Sequence, residues 1–144
     1  MDISDLIDEA SCSRLCLDLL HYVDQRRYDQ AAALFTEDGT FERRTPDRTS
    51  TVFTGRAAIR GFFDSRPVDE AIRHLCTNIR ITLRSREEAG GHCYALFFKG
   101  TATGDAELPV PPRAPAVTEY HDDYVRTAGG WRIARRRTQP VFAS

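Results

Sequence analysis

Lysine is nearly absent from this chain: Lys99 is the only one among 20 Lys and Arg residues. Acids and bases almost cancel, for a net charge of -1 at pH 7. That balance excludes a protein that holds a nucleic acid or an anionic membrane through bulk positive charge. The arginine bias reads as GC-rich codon usage, so no nucleic-acid partner is expected. No apolar run approaches the roughly 20 residues a bilayer crossing needs. No basic start followed by an apolar core and a small-residue cleavage site is present either. Both absences predict a cytoplasmic chain with no membrane partner. Cysteine is scarce, with four residues, Cys12, Cys16, Cys76 and Cys93, and no CxxC pair. Cys12 and Cys16 stand one helical turn apart, a spacing that suits packing, and all four read as small core hydrophobes. The four histidines, His21, His74, His92 and His121, show neither HxxxH nor HxH spacing. Nothing in the spacing therefore calls for a metal or another cofactor.

What is present is enough for one domain spanning 1–144: 144 residues, 41% of them hydrophobic, a length that buries roughly 68–70% of the unfolded surface. A first helix is predicted from Ser4, as its cap, to about Gln25, with an apolar stripe through Ile3, Leu6, Ile7, Leu15, Leu19 and Val23. Asp29 caps a short second helix, Gln30 to Thr36, which Asp38-Gly39 stops. A strand, Thr40 to Arg44, turns through Pro46-Asp47-Arg48 into Thr51–Thr54. Gly55 opens a third helix, Arg56 to Ser65, which Pro67 ends. The rest reads as strands, Thr77–Ser85, His92–Thr101, Thr118–Thr127 and Trp131–Thr138, the last two joined through Ala128-Gly129-Gly130. Leu108 to Val117, with four prolines, reads as an extended loop at the mouth of a pocket. Helices first and a meander after them define an α+β fold.

His74, just upstream of the alternating run Ile79, Ile81, Leu83, is the most interesting titratable group. An imidazole at an element end facing a cavity is both desolvated and reachable. A hydrogen-bonded core histidine is the ordinary alternative. Strict alternation poses a conflict, because His74 has opposite parity to Ile79, and Arg136 has opposite parity to Trp131 and Ile133. If both are to face inward, each strand needs a bulge or bend between those residues.

Several words in the chain recur at the intervals of a known family. They are Asp24-(x)4-Asp29 before Leu34-Phe35-Thr36-Glu37-Asp38-Gly39, Gly55-Arg56-Ala57-Ala58-Ile59, His74-Leu75-Cys76-Thr77-Asn78, Tyr120-(x)3-Tyr124 and Gly130-Trp131-Arg132-Ile133. In these the chain resembles the SnoaL-like branch of the nuclear transport factor 2 superfamily, and within it the scytalone dehydratases, hexachlorocyclohexane dehydrochlorinases and bile-acid 7-alpha-dehydratases. The resemblance implies a cone-shaped α+β barrel, a curved, mainly antiparallel sheet wrapped around the N-terminal helices. Those enzymes pair an Asp at the end of helix one with a strand-borne His, and Asp24 and His74 fall on these positions. The dehydrochlorinases' strand arginine, five residues after the tryptophan, falls on Arg136. The polar residue that the relatives place five positions before the Asp is Leu19 here. Tyr22, Asn78 and His121 are the nearest substitutes for polarising a leaving group.

The function so implied is a cofactor-independent lyase or isomerase acting on a small, mostly apolar cyclic substrate, with Phe62 and Phe97 as apolar pocket walls. Asp24 would fix the His74 tautomer, Nε2 would take a C–H proton, and Arg136 would steady developing negative charge. A solvated basic edge is the ordinary alternative for Arg135-Arg136-Arg137. Two other functions fit the same resemblance. One is a polyketide cyclase or epoxide hydrolase, the latter using Asp122 or Asp123 to activate water. The other is a non-catalytic binding or assembly module, with its pocket filled by Phe62, Phe97 or Tyr94. A homodimer or homotrimer paired through sheet faces is expected.

Overall fold

The first helix, α1 (Ile3–Asp24), begins two residues earlier than a Ser4 cap would set it. Asp2 is the cap: its carboxylate accepts the Asp5 N–H at 3.0 Å, and the Asp5 carboxylate accepts the Asp2 N–H at 3.0 Å. Two otherwise unpaired amides are satisfied reciprocally. Ser4 lies inside the helix and donates to Asp2. The expected stripe is also corrected at its start, because Ile3, Leu6 and Ile7 are exposed and the buried face runs Asp8, Cys12, Leu15, Cys16, Leu19, Leu20. Asp8 belongs inside because it has partners there. Its carboxylate accepts from the Trp131 indole at 2.9 Å and from Arg126 at 2.6 Å. These bonds satisfy a buried acid and pin α1 to the last hairpin.

The computed structural model describes residues 1–102, 108–109 and 114–142. Helix α2 (Tyr28–Ala33) starts and ends earlier than expected. Asp29 sits in its first turn and pairs with Arg60 of α3 (Arg56–Asp64), so it is no cap. The chain leaves the helix before Phe35 because Phe35 pairs in parallel with Ile133, which makes β1 Phe35–Arg44. Asp38-Gly39 falls within this strand rather than in a turn. The β1 pairing slips between Phe35 and Thr40, and a Cβ on Gly39 would stand 3.0 Å from the Thr36 carbonyl oxygen and 3.2 Å from that of Ile133. Only glycine allows that approach. Strand β2 (Ser50–Thr54) returns beside β1, and Gly55, at φ 87°, opens α3.

Strand β3 (Glu70–Leu83) is longer than the Thr77–Ser85 expected, so His74 lies within a strand, not at its start. β4 (Glu88–Thr101), β5 (Ala116–Thr127) and β6 (Gly130–Pro140) follow. Ala116 and Val117 thus belong to β5 rather than to the expected loop; residues 110–113 of that loop lie outside the described residues. Among the described residues the sheet runs β2-β1-β6-β5-β4-β3, antiparallel except for β1 beside β6. The sheet curves around α1, which packs on β3, β4 and β6, while α3 covers β1 and β2. The main core joins Leu15, Leu19, Phe35, Phe41, Ile59, Phe63 and Ile133 between these layers.

Both parity conflicts resolve as bulges. The β3–β4 register slips between Thr77 and Arg80, and Asn78 adopts φ 54°. Asn is one of the few residues that tolerates this left-handed backbone. His74 and Cys76 before the bulge, and Ile79, Ile81 and Leu83 after it, all face inward. In β6 the slip places one extra residue, Ala134, between Ile133 and Arg135, so Ile133 and Arg136 are both buried.

Candidate functional site

Asp24 ends α1, where a carboxylate faces the negative end of the helix dipole and needs donors to hold it. His74 supplies two: its backbone N–H donates to Oδ2 at 2.8 Å, and its ring Nδ1 meets Oδ1 at 2.5 Å. An ionised carboxylate only accepts, so Nδ1 carries a proton here, and in the neutral imidazole the lone pair falls to Nε2. Both side chains are 8% exposed. Among the described residues Asp24 makes no ion pair with Arg26 or Arg27. Arg26 takes a left-handed backbone, φ 60°, and donates to the carbonyls of Pro67 and Glu70. Arg66 donates to the Val23 carbonyl at 3.0 Å, placing a cation at the helix C-terminus. Its Nε and Nη1 have no hydrogen-bond partner among the described residues, and its guanidinium lies over the Tyr28 ring.

The His74 ring borders a cavity of about 900 Å³ between α1, α3 and the sheet. Phe62 of α3 and Phe97 of β4 line it, with Leu19, Val23 and Phe41. Phe97 stands directly across the ladder from His74, their ring centroids 5.4 Å apart. The polar wall is cationic: Arg43, Arg44, Arg66, Lys99 and Arg136 against one carboxylate, Glu70. Lys99 pairs with Glu70 and Arg44 with Glu42. Ala114 and Pro115, from the proline-rich segment, also border the cavity.

Arg136 lines this cavity from β6 and is 1% exposed. Its Nε and Nη2 each donate to Asp122 at 2.8 Å, and its guanidinium lies 4.2 Å from the centroid of the Tyr120 ring. Burial opposes its charge, but Asp122, Cys16 and Tyr124 together more than offset this and raise its pKa well above the ordinary arginine value. Asp122 also accepts from the Tyr124 hydroxyl at 2.9 Å. Burial and then the Asp122 charge push that phenol up. Asp122 is therefore committed to the core, while Asp123 points out and pairs with Arg84. Neither carboxylate is placed to activate a water molecule in the cavity, which corrects the expectation for an epoxide hydrolase.

Three expected substrate contacts lie elsewhere. Tyr22 packs against the main core, away from the cavity lining. Asn78 is exposed at the β3 bulge, where its side chain accepts from Thr77 at 2.9 Å. Its backbone conformation is what the site uses. His121 stacks on His92, centroids 4.6 Å apart, on the outer face of the sheet, because its neighbours Tyr120 and Asp122 face in. Burial and the nearby His92 push its pKa down.

Two features escaped the reading of single residues. Asp122 shares parity with Tyr120 and Tyr124 and stands opposite Arg136 in the hairpin register, a signal that an inward acid there has a cation partner. Cys16, Cys76 and Cys93 come from three elements to one point, with Cys16 Sγ 3.6 Å from each of the other two. Hydrogen bonds from Cys76 and Cys93, with help from Arg136, hold the Cys16 thiol well below its ordinary range. Those same bonds, with burial, push Cys76 and Cys93 up.

A helix end and a bulged strand meet over a cavity inside a curved sheet, in an α+β fold shared with NTF2-like proteins of known structure. The chain belongs to the SnoaL-like domain family, which matches residues 4–137. It is similar in structure to a candidate scytalone dehydratase from Novosphingobium aromaticivorans, with TM-score 0.79, 22% identity, and 99% of this chain and 89% of that one covered. A type 2 hexachlorocyclohexane dehydrochlorinase gives TM-score 0.78 at 17% identity over 99% of this chain and 90% of that one. A candidate dehydratase of the NTF2-like family from Streptomyces avermitilis gives TM-score 0.81 at 13% identity, with 95% and 99% covered. At such identities it is the structural match that establishes the shared fold. Among curated proteins none matches the sequence. No helix among the described residues is long and apolar enough to cross a membrane.

Proposed function

We propose that this protein is a cofactor-independent lyase or isomerase that abstracts a proton from carbon on a small cyclic substrate. The observation that carries the reading is the double hydrogen bond from His74 to Asp24, which leaves an imidazole lone pair on a ring bordering a cavity of about 900 Å³. Nε2 takes a proton from a carbon beside a carbonyl, and Asp24 steadies the imidazolium that forms. The C–H electron pair moves into a new double bond. In elimination it expels a hydroxyl group, which leaves as water after taking the proton from Nε2. In isomerisation the same proton returns to another carbon.

The cavity wall refines the substrate class. Phe62 and Phe97 suit an apolar ring, and the arginines that share the cavity wall favour a carbonyl that gains enolate character in the transition state. Arg136 acts as a dipole with Asp122 rather than as a free cation. The open cavity and the paired dyad together argue against a binding or assembly module filled by its own aromatics. Tyr94, one of the candidates to fill it, is 39% exposed and absent from the lining. Self-association through the outer sheet face, where Leu75 and Phe98 are also exposed, belongs to the same proposal and is tested by sedimentation.

The test of function is exchange and elimination on cyclic β-hydroxy ketones in D2O, followed by NMR. Wild type should catalyse loss of the α-proton, and His74→Ala should slow it by about 10²–10⁴-fold, the usual share of general acid–base catalysis. Catalysis indifferent to His74→Ala would refute the mechanism. Binding without exchange across the series would point to a carrier.

A further inference from the structure

The dyad leaves the cysteines unused, and their arrangement is specific. Cys16 descends from α1, Cys76 stands on β3 just before the bulge, and Cys93 lies on β4 opposite it. Their three sulfurs lie within 4.8 Å of one another, with two separations of 3.6 Å. Cys16 and Cys93 are buried, and Cys76 is half-buried, which leaves a way in. All three are free thiols.

We propose that Cys16, Cys76 and Cys93 bind one thiophilic closed-shell cation in a three-sulfur site. Around a cation with metal–sulfur bonds of about 2.3 Å, thiolates stand roughly 3.8 Å apart, so the two 3.6 Å separations need open only slightly, and the third, within 4.8 Å, need close by no more than about an ångström. A disulfide would require closure to about 2.0 Å and would leave the third sulfur unused. The donor set selects the ligand. It contains sulfur only, and Asp122, which shares Arg136 with Cys16, is held by Arg136 and Tyr124. Hard cations such as magnesium and calcium want oxygen, whereas thiolates select copper(I) and zinc-like ions. Arg136 Nη2 donates to Cys16 Sγ at 3.1 Å, an outer-sphere bond of the kind that orients a ligating sulfur and offsets its charge. Each thiol that binds the cation releases its proton to solvent. The bound ion would tie α1 to β3 and β4 behind the cavity wall, and would stabilise the native state in proportion to its occupancy.

The test uses the reduced, full-length protein under anaerobic conditions, with copper(I) and zinc(II) as separate probes. The expected result is one equivalent of copper(I) or zinc(II) retained per chain through gel filtration, with a rise in thermal midpoint. X-ray absorption should then show a shell of sulfur at about 2.3 Å. Cys76→Ser, at the least buried position, should abolish retention while keeping the wild-type fold by circular dichroism, and Cys12→Ser should retain the metal. Neither probe binding, equal retention by Cys76→Ser, or a shell of nitrogen and oxygen would overturn the proposal. The last result would move the ion to His92, Glu119 and His121 on the outer sheet face, whose ligand atoms also cluster within 4.8 Å.

Discussion

Two acids in this protein are each held by one basic side chain, Asp122 by Arg136 and Asp24 by His74, yet the pairs do different work. The first is closed: its side chains are 2% and 1% exposed, and Asp122 is shared with Tyr124. The second is left unfinished, with the Asp24 oxygens satisfied by His74 and the far ring nitrogen of His74, a residue that lines the cavity, without a hydrogen bond among the described residues. Arg136 and His74 both read as catalytic from the sequence. What separates them is hydrogen-bonding capacity left unspent, and that depends on partners drawn from other strands.

The largest effect should separate the pairs on stability. Arg136→Met leaves Asp122 buried beside nothing positive and should cost about 3–5 kcal/mol in denaturant unfolding, much of it recovered by replacing Asp122 with Leu as well. A loss below about 1 kcal/mol would show that the pair is not closed. Asp24→Ala removes one acceptor shared by two donors and should cost less, about 1–3 kcal/mol. Its effect on proton abstraction should nevertheless match that of His74→Ala, whereas a variant stable and fully active would break the contrast. Asn78→Val forces a β-branched residue into a left-handed backbone, costing about 1–2 kcal/mol, while Asn78→Gly should be close to neutral. Equal stability of the two would mean that the bulge is absent.

The smallest effect concerns pH. Hydrogen bonds from Trp131 and Arg126 hold the Asp8 carboxyl below its ordinary 3.8. The native state then keeps Asp8 ionised where the unfolded chain has taken up a proton. Its contribution is complete above that value and is lost as pH falls through the lowered one. Acid unfolding curves should show a shallower decline below pH 3.8 in Asp8→Asn, and an unchanged slope would remove Asp8 from the account.

Much of this was legible in the chain. The order of helices and strands followed from periodicity, and the family words placed Asp24 and His74 where the helix end and the strand meet. The parity conflicts at His74 and Arg136 pointed to irregular strands, and the slips at Asn78 and Ala134 supply them. What was not legible depends on register. Whether Tyr22, Asn78 and His121 face the cavity is decided by neighbouring strands and by the bulge itself. The early start of β1 at Phe35 comes from a parallel partner some hundred residues away. The meeting of the three thiols needs α1 docked across β3 and β4, which no local pattern encodes.

The central claim is that Asp24 fixes the His74 ring with its free nitrogen toward the cavity. The most direct measurement is ¹⁵N NMR of the His74 ring at a pH where it is neutral, in wild type and Asp24→Asn. The account predicts the Nδ1–H tautomer in wild type. In Asp24→Asn the amide oxygen can accept the His74 backbone N–H, but the amide NH₂ then faces Nδ1, so the ring should switch to Nε2–H. A wild-type ring protonated on Nε2, or a tautomer unmoved by Asp24→Asn, would contradict it.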